Sequence, residues 1–255
     1  MKPLICLAAV LGLATPLHAA FAQGMPENRD PNATQWGLGL GVGVENRAYE
    51  GADRKVRALP ILFFENRYVR FAGLGLDLKL PEVGPVSFAL STRYQGDGYE
   101  SGDAPILAGM ADRKGGVLLG GSMRWHAPEF DLQAELLRDV SGHSEGLQAK
   151  LMLTREFRAG RFMFTPGVGA TWLDKKQVDY YYGVTAEEAL ANRPQYDGKG
   201  TVNLDLNLRT SYLLAPHQIL TLDLGGTHLG SGITDSPLVG RDNIARARFG
   251  YLYRF

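Results

Sequence analysis

The sequence predicts an all-β protein, a transmembrane antiparallel up-and-down β-barrel of about twelve strands in the outer membrane of a Gram-negative bacterium. Three observations support this prediction. Apolar residues alternate with polar or small residues along most of the chain, as in a wall with one face in lipid and one toward a polar interior. No apolar run after residue 22 reaches the length of about 18 residues typical of a membrane-spanning helix. Residues 245–255 alternate strictly and end in an aromatic residue, Phe255.

Residues 1–22 are predicted to be a signal peptide. Lys2 supplies a positive charge, an apolar run follows, and Ala-Phe-Ala at 20–22 is a suitable cleavage site. The single cysteine, Cys6, lies in this segment, so the mature chain would contain no disulfide. Residues 23–35 are polar and are predicted to form a periplasmic N-terminal segment, followed by the barrel over residues 36–255.

The balance of basic and acidic side chains indicates which classes of partner the chain could bind. The chain has 27 basic and 27 acidic side chains, and no basic patch favours a nucleic acid. The alternating apolar face instead predicts outer-membrane lipid as the main partner of the wall.

Alternation locates the strands in order. In the first, large residues from Trp36 to Val44 alternate with glycines. In the second, Pro60 weakens the prediction because proline cannot donate a ladder hydrogen bond. Strands are predicted at about 36–44, 57–65, 67–80, 85–94, 115–126, 130–139, 146–157, 161–172, 201–213, 217–229 and 243–255.

The segment 67–80 is predicted to be two strands. Its apolar residues hold odd positions at Val69 and Phe71 but even positions from Leu74 to Leu80, so the phase reverses at Ala72-Gly73. Short turns and long loops then alternate along the whole chain. The result is twelve strands with both termini in the periplasm and every long loop outside, whereas a single bulged strand would give ten.

Several residues could carry chemistry but fit no catalytic or metal site. His143-Ser144 lies in an outer loop without an evident partner to orient the histidine. The glycines from Gly37 to Gly43 alternate with lipid-facing residues and precede no helix, which favours a strand over a dinucleotide site. Four acidic residues of one outer loop lack the spacing of cation ligands: Asp97, Glu100, Asp103 and Asp112. We therefore expect no enzyme activity, cofactor or metal.

The longest loop, 173–200, is predicted to fold as a cap over the barrel mouth. Its tyrosines, from Tyr180 to Tyr182 and at Tyr196, have amphipathic rings that need packing partners. Thr185 and Glu188 match a capping box and predict a short helix over 185–191. The lumen is expected to be lined by the glycines of the first strand together with Asp77, Lys79, Asp205 and Arg209.

Motifs in the outer loops and at the C-terminus resemble the MipA/OmpV family of outer-membrane proteins over essentially the whole mature chain. The loop residues, whose role is unknown, are Tyr49, Gly51, Asp139, Ser141, Gly142, Gly146, Tyr181, Tyr182, Gly183, Val184, Arg193, Pro194, Asp235, Ser236 and Pro237. Tyr251, Tyr253 and Phe255 are predicted to form the C-terminal signal that the barrel assembly machinery recognises.

The resemblance implies a barrel without catalytic activity. MipA-like members are described as scaffolds that join a lytic murein transglycosylase to a bifunctional penicillin-binding murein synthase. The preferred prediction is therefore a non-enzymatic scaffold in peptidoglycan assembly, and the alternative is a porin-like channel or surface adhesin. Because the predicted periplasmic turns are short, we expect partner contact through residues 23–35.

Overall fold

All β-strands of the described chain belong to one antiparallel sheet that closes on itself, because the first strand pairs with the last. The structure, a computed structural model, describes residues 34–255. The predicted signal peptide and nearly all of the predicted periplasmic segment lie outside the described residues. The strands are β1 (Gln35–Glu45), β2 (Lys55–Glu65), β3 (Val69–Ala72), β4 (Gly75–Lys79), β5 (Val86–Gln95), β6 (Gly116–His126), β7 (Asp131–Asp139), β8 (Leu147–Thr154), β9 (Phe157–Ala159), β10 (Phe162–Leu173), β11 (Thr201–Ala215), β12 (Gln218–His228) and β13 (Asn243–Arg254).

The closed wall has twelve strands because β8 and β9 follow each other along one partner. β8 pairs with residues 167–173 of β10, and β9 pairs with residues 162–164. The predicted division at Ala72-Gly73 is also present, since β3 and β4 pair with each other around Gly73, whose φ is +62°. The prediction of twelve strands is confirmed, and the ten-strand alternative is wrong.

Pro60 is accommodated within β2. The N–H of Gly73 donates to the carbonyl oxygen of Leu62 (2.9 Å), so even-numbered residues of β2 direct their backbone groups toward β3. β3 does not extend as far as Pro60, and its pairing with β2 covers only residues 63–65 of β2. The sheet therefore requires no main-chain N–H donor at position 60, where proline has none.

The two faces of the wall differ as the alternation predicts. Lipid-facing residues such as Leu40 and Leu206 are highly exposed, whereas the inward Asp205 and Arg209 are buried. At the end with short turns, the Trp36 ring stacks on the Phe255 ring at a distance of 3.8 Å. This contact joins the first strand of the barrel to the last. Tyr253 packs edge-on against Phe255 at 4.9 Å. Tyr251 lies two residues earlier on the same outward face.

The closure between β1 and β13 depends on a glycine. A Cβ atom at Gly39 would lie 2.0 Å from the carbonyl oxygen of Tyr251. The alternating glycines of β1 were expected to line a lumen, and here a glycine also lets the last strand approach the first.

The long connections gather at one end of the barrel, and the short turns lie at the other, except for the turn between β3 and β4, which lies within the wall. Outer-membrane barrels carry their long loops on the outside, so we call these ends outer and periplasmic. Two helices lie in the outer loops, α1 (Lys175–Tyr182) and α2 (Ser231–Thr234). Neither of these helices is long and apolar enough to cross a membrane.

Candidate functional site: a capped lumen

Four outer loops share one hydrophobic core above the barrel mouth. We call the assembly of loops 46–54, 96–115, 140–146, 174–200 and 229–242 the cap. Tyr49, Leu107, Val184 and Leu238 come from four different loops and pack in one cluster. The remaining buried members of this cluster are Ala52, Tyr99, Ala104 and Met110. The cap is therefore folded against itself and does not depend on lipid for its burial.

Tyrosines connect this core to a second cluster nearer the lumen. The Tyr49 ring lies 5.0 Å from Tyr99 and 5.6 Å from Tyr182. Tyr182 also packs on the second cluster, which contains Val178 and Ile233. Burial raises the pKa of Tyr49 and of Tyr182 well above the ordinary value. These side chains are therefore neutral at physiological pH.

Arg193 ties the longest loop to loop 96–115. Its Nη1 donates to the carbonyl oxygens of Ile106 (2.6 Å) and Ala108 (3.0 Å). Its Nε and Nη2 donate to the carbonyl oxygen of Glu188 (3.1 and 2.7 Å). Arg193 is 2 % exposed, and within residues 34–255 its burial is compensated by main-chain acceptors and by no carboxylate partner.

Glu188 lies at a second junction between the same loops. Its Oε1 accepts the N–H of Ala111 (2.9 Å), and both carboxylate oxygens lie 3.1 Å from Nη2 of Arg113. Burial opposes ionisation of this carboxyl group, but the N–H groups of Ala111 and Thr185 and the Arg113 guanidinium together lower its pKa.

The predicted helix over 185–191 is wrong, although its capping box exists. Thr185 and Glu188 exchange the expected contacts, with the Glu188 N–H donating to Thr185 Oγ1 (3.3 Å). The chain then reverses direction in a tight turn, because the main-chain groups of Leu190 and Arg193 hydrogen-bond to each other. The Glu188 carbonyl, which a helix would use, accepts from the Arg193 side chain instead. A side-chain hydrogen bond within the loop thus takes the acceptor that a second helical turn would need.

The helix of this loop is α1, eight residues long, and it contains the three consecutive tyrosines. Asp174 caps its N-terminus, with Oδ1 accepting from the N–H of Gln177 (2.8 Å). The spacing of Asp174 and Gln177 is a capping signal that could have located it from sequence. The loop nevertheless folds over the mouth, as predicted.

The compact turn after β7 is built around Asp139. Its carboxylate accepts from the N–H and hydroxyl of Ser141 and of Ser144, at 2.5–2.8 Å. Gly142 has φ +77°, which completes the turn. At Gly146, a Cβ would lie 2.6 Å from Oε1 of Gln177, so glycine allows α1 to dock on the turn.

The cap covers a polar chamber in the lumen of about 300 Å³. Gln177, Tyr181 and Tyr182 lie on its cap side. Of the side chains that line it, five are acidic and five basic: Glu45, Asp97, Glu135, Asp205, Asp223, Arg93, Lys150, Arg209, Arg246 and Arg248. The chamber therefore has charges of both signs and no net excess.

Most of these charges are paired between side chains of different strands, either adjacent or one strand apart. Arg93 bridges Asp77 (2.6 Å) and Glu135 (2.7 Å). Arg209 Nε lies 2.8 Å from Asp223 Oδ1. Arg246 pairs with Asp205 at 3.5 Å, and Arg248 with Glu45 at 3.6 Å. Such pairs fix strand positions more than they add stability, because desolvation offsets much of the attraction. Asp77, Asp205 and Arg209 face the lumen as predicted, and Lys79 pairs with Glu65.

The structure assembles most of the predicted loop residues into the cap. Ser236 donates to the Tyr182 carbonyl (2.6 Å), and the Gly183 N–H closes α1 on the Asp179 carbonyl (2.8 Å). Gly51 has φ +71° and lies beside Pro105. The Asp235 N–H ends α2 on the Ser231 carbonyl. Pro194 and Pro237 flank cap residues, Arg193 and Leu238. A functional role for these residues stays a prediction.

Sequence reasoning missed other cap residues, chiefly those of loop 96–115. Tyr99, Leu107 and Met110 are buried in the cap core. Gln177 is also buried, and its amide donates to Gln95 Oε1 (2.7 Å) while its own Oε1 accepts from Ser144. The presence of large apolar residues in an otherwise polar loop was the available signal.

The residues considered for catalysis or metal binding have structural partners. Ser144 bonds Asp139 and Gln177, whereas His143 Nδ1 lies 2.7 Å from the carbonyl oxygen of Gly115. In loop 96–115, Asp103 pairs with Arg47 at 2.7 Å. No group of three or more His, Cys, Asp or Glu side chains within residues 34–255 is arranged to hold a metal ion.

Comparison with known proteins identifies the family. The family model described as MltA-interacting protein MipA matches residues 38–255. This chain belongs to the MipA family. The MltA-interacting protein of Escherichia coli (strain K12) is 27% identical over 260 residues that span all of both chains. The putative outer membrane protein YiaT of the same strain is 25% identical over 242 residues, 93% of this chain and 97% of that protein.

One solved structure aligns with most of this chain at low sequence identity. The COG4313 outer membrane channel from Pseudomonas putida F1 aligns with a TM-score of 0.44 and 14% identity, over 91% of this chain and 100% of that chain. The relatives are named as outer-membrane proteins. The MipA-family chain described here is likewise an outer-membrane β-barrel.

Proposed function

We propose that this barrel is a non-enzymatic scaffold that links murein-cleaving and murein-synthesising enzymes in peptidoglycan assembly. The observation that carries the proposal is the cap, whose shared core of Tyr49, Leu107, Val184 and Leu238 covers the outer mouth. A barrel arranged for free diffusion would not need to bury apolar residues from four loops over its entrance. The E. coli relative named MltA-interacting protein supports a partner that cleaves murein.

A murein enzyme must reach the barrel from the periplasm, where the described turns are short. The turn at residues 66–68 is rigid, because Asn66 Oδ1 accepts from the N–H groups of Tyr68 and Val69, both at 2.8 Å. Such a turn offers little area for a stable protein interface, which needs about 800 Å² per partner. Residues 23–35 therefore remain our proposed contact segment, together with this rim.

Deletion of residues 23–33 tests the contact. We expect the deleted chain to assemble, as judged by heat-modifiable migration, but to lose capture of a purified lytic murein transglycosylase and of a bifunctional murein synthase. A chain in which residues 23–33 are scrambled at constant composition is the matched control for a sequence-specific contact. Capture that survives the deletion would assign the contact elsewhere, and failure of the full-length chain to capture either enzyme would reject the scaffold.

The alternative is a porin-like channel, and the charged chamber favours it. A lumen with charges of both signs can pass small polar solutes once it is open. We expect the purified barrel to be silent in planar bilayers, and conductance to appear when Arg193→Ala loosens the cap. Steady single-channel steps from the unmodified protein would instead favour the channel.

A further inference from the structure

The hydrogen-bonded wall is incomplete beside the β3–β4 hairpin. β3 and β4 have four and five residues, whereas β2 and β5 on either side have eleven and ten. The hairpin pairs with β5 on one side, and on the other it pairs with only three residues of β2, 63–65. In the described chain, residues 55–61 of β2 pair with β1 on one side and with no strand on the other. We call the boundary between residues 55–61 and residues 94–97, at the end of β5, the seam.

The backbone of β2 leaves polar groups unpaired along the seam. The Gly73-to-Leu62 hydrogen bond shows that even-numbered residues point this way, and Val56, Ala58 and Pro60 continue that series. Within residues 34–255, no main-chain hydrogen bond is made by these three residues toward the seam. An open strand edge is unfavourable at membrane depth because lipid offers no hydrogen bonds. Proline at position 60 reduces this cost by removing one donor.

One side chain crosses the seam. Arg57 Nη2 donates to the carbonyl oxygen of Gly96 (3.5 Å). Beyond it, the cap holds the two sides together, since Arg47 of loop 46–54 pairs with Asp103 of loop 96–115 at 2.7 Å. Separation of β2 from residues 94–97 would thus break one long hydrogen bond and no strand ladder.

The seam separates two different environments. Val56 is 67 % exposed on the outer surface, and Leu62 and Leu74 are also exposed there. On the inner side, Gln95 and Asp97 line the chamber. Three residues that line the chamber have a buried polar atom without a hydrogen-bond partner in the described chain: Asn207 Oδ1, Asp223 Oδ2 and Arg93 Nε. These are two acceptors and one donor.

We propose that the seam is a lateral gate that admits the polar head of a single-chain amphiphile from the outer leaflet into the chamber. The acyl chain stays among Val56, Leu62 and Leu74, and the head meets charges of both signs. The free acceptors of Asn207 and Asp223 and the free donor of Arg93 select a head that both donates and accepts hydrogen bonds. The gate is independent of the scaffold, because it uses the wall and the chamber and not the periplasmic rim.

A single thiol in the chamber tests the gate. Residues from 23 onward contain no cysteine, and Gln148 lines the chamber, so Gln148→Cys provides a unique reporter. The barrel is reconstituted in phospholipid vesicles and treated with N-dodecylmaleimide, which is confined to the bilayer, or with a sulfonated maleimide, which is confined to water. Leu136→Cys, whose side chain is 54 % exposed on the lipid-facing surface, is the positive control for the lipid reagent.

We expect N-dodecylmaleimide to label Gln148→Cys faster than the sulfonated reagent does. Adding Arg57→Ala should raise the lipid-phase rate roughly fivefold, because it removes the hydrogen bond across the seam. Lys55→Ala is the matched control, since it removes an inward positive charge on the same strand without breaking that bond.

Equal rates in the two variants, faster labelling from water, or no labelling from lipid would each overturn the gate. If Arg57→Ala fails to assemble, Arg57→Gln is judged by the same criteria. Murein-enzyme capture is a separate readout, so the two proposals can fail independently.

Discussion

The cap and the wall are continuous in the chain but are stabilised by different interactions. Outside the seam, the wall satisfies its backbone by strand pairing, and it leaves its large apolar side chains, such as Leu206, on the lipid side. The cap buries its apolar residues against one another and satisfies its irregular backbone with side chains such as Arg193 and Asp139. One chain thus folds in two solvents: lipid surrounds the wall, and water surrounds the cap.

The largest expected effect that separates the two regions is loss of the Arg193 guanidinium. Arg193→Ala leaves carbonyl oxygens of Ile106, Ala108 and Glu188 without their donor, so the cap should lose about 3 to 4 kcal/mol while the wall persists. Trypsin should then cut at Lys199 in whole cells, and heat-modifiable migration should be unchanged. Arg241→Ala is the control, because Arg241 makes one exposed bond of 3.4 Å. Resistance of Arg193→Ala to trypsin would mean that the cap does not depend on this side chain.

The same substitution in the two regions sharpens the contrast. Leu238 is 0 % exposed in the cap core, whereas Leu206 is 64 % exposed on the wall. Leu238→Ala should cost about 3 kcal/mol through a cavity, and Leu206→Ala should cost less than about 1 kcal/mol because lipid refills the space. Hydrogen exchange of cap amides measures the first effect, and the thermal midpoint of the barrel measures the second. Equal effects would mean that the cap core is not closely packed.

Alkaline pH should open the cap before it affects the wall. Burial raises the pKa of Tyr99 to about 12, above its ordinary value of about 10. The folded cap is therefore fully stabilised by this group below about pH 10, and the contribution, on the order of 2 kcal/mol, is lost as the pH rises through about 12. Ultraviolet titration of tyrosinate and cap proteolysis should change together. Tyr99→Phe should shift the opening to higher pH, and an unchanged midpoint would assign it to other tyrosines.

The smallest effect is expected in acid. The pKa of Glu188 is lowered in the cap, so its stabilisation is complete above about pH 4.3 and is lost as the pH falls through the folded pKa. Glu188→Gln should weaken the cap by about 1 kcal/mol at neutral pH and remove this acid dependence. Cap proteolysis with pepsin at several acidic pH values checks this prediction. A variant that keeps the acid dependence of the parent would show that another carboxylate causes it.

Sequence reasoning located the wall well but the cap only in part. The phase reversal at Ala72-Gly73 identified the β3–β4 hairpin, and strict alternation identified the closing strand. The helix of the longest loop was placed at 185–191, one segment after its true position at Lys175–Tyr182. That error arose because Arg193 binds the Glu188 carbonyl and also the carbonyls of residues 106 and 108 in a distant loop, an arrangement that no local pattern reveals.

The period-two wall, the number of strands and the face that meets lipid could all be predicted from the amino-acid sequence. These features follow from neighbouring residues, since each strand must direct alternate side chains to opposite faces. Contacts between distant parts of the chain bring Tyr49, Tyr99, Val184 and Leu238 into one core and pair Arg209 with Asp223. Within residues 34–255, they give residues 55–61 of β2 no second partner strand. The partner of a buried side chain, or of a free strand edge, comes from a distant part of the chain, and closure of the barrel sets which parts meet.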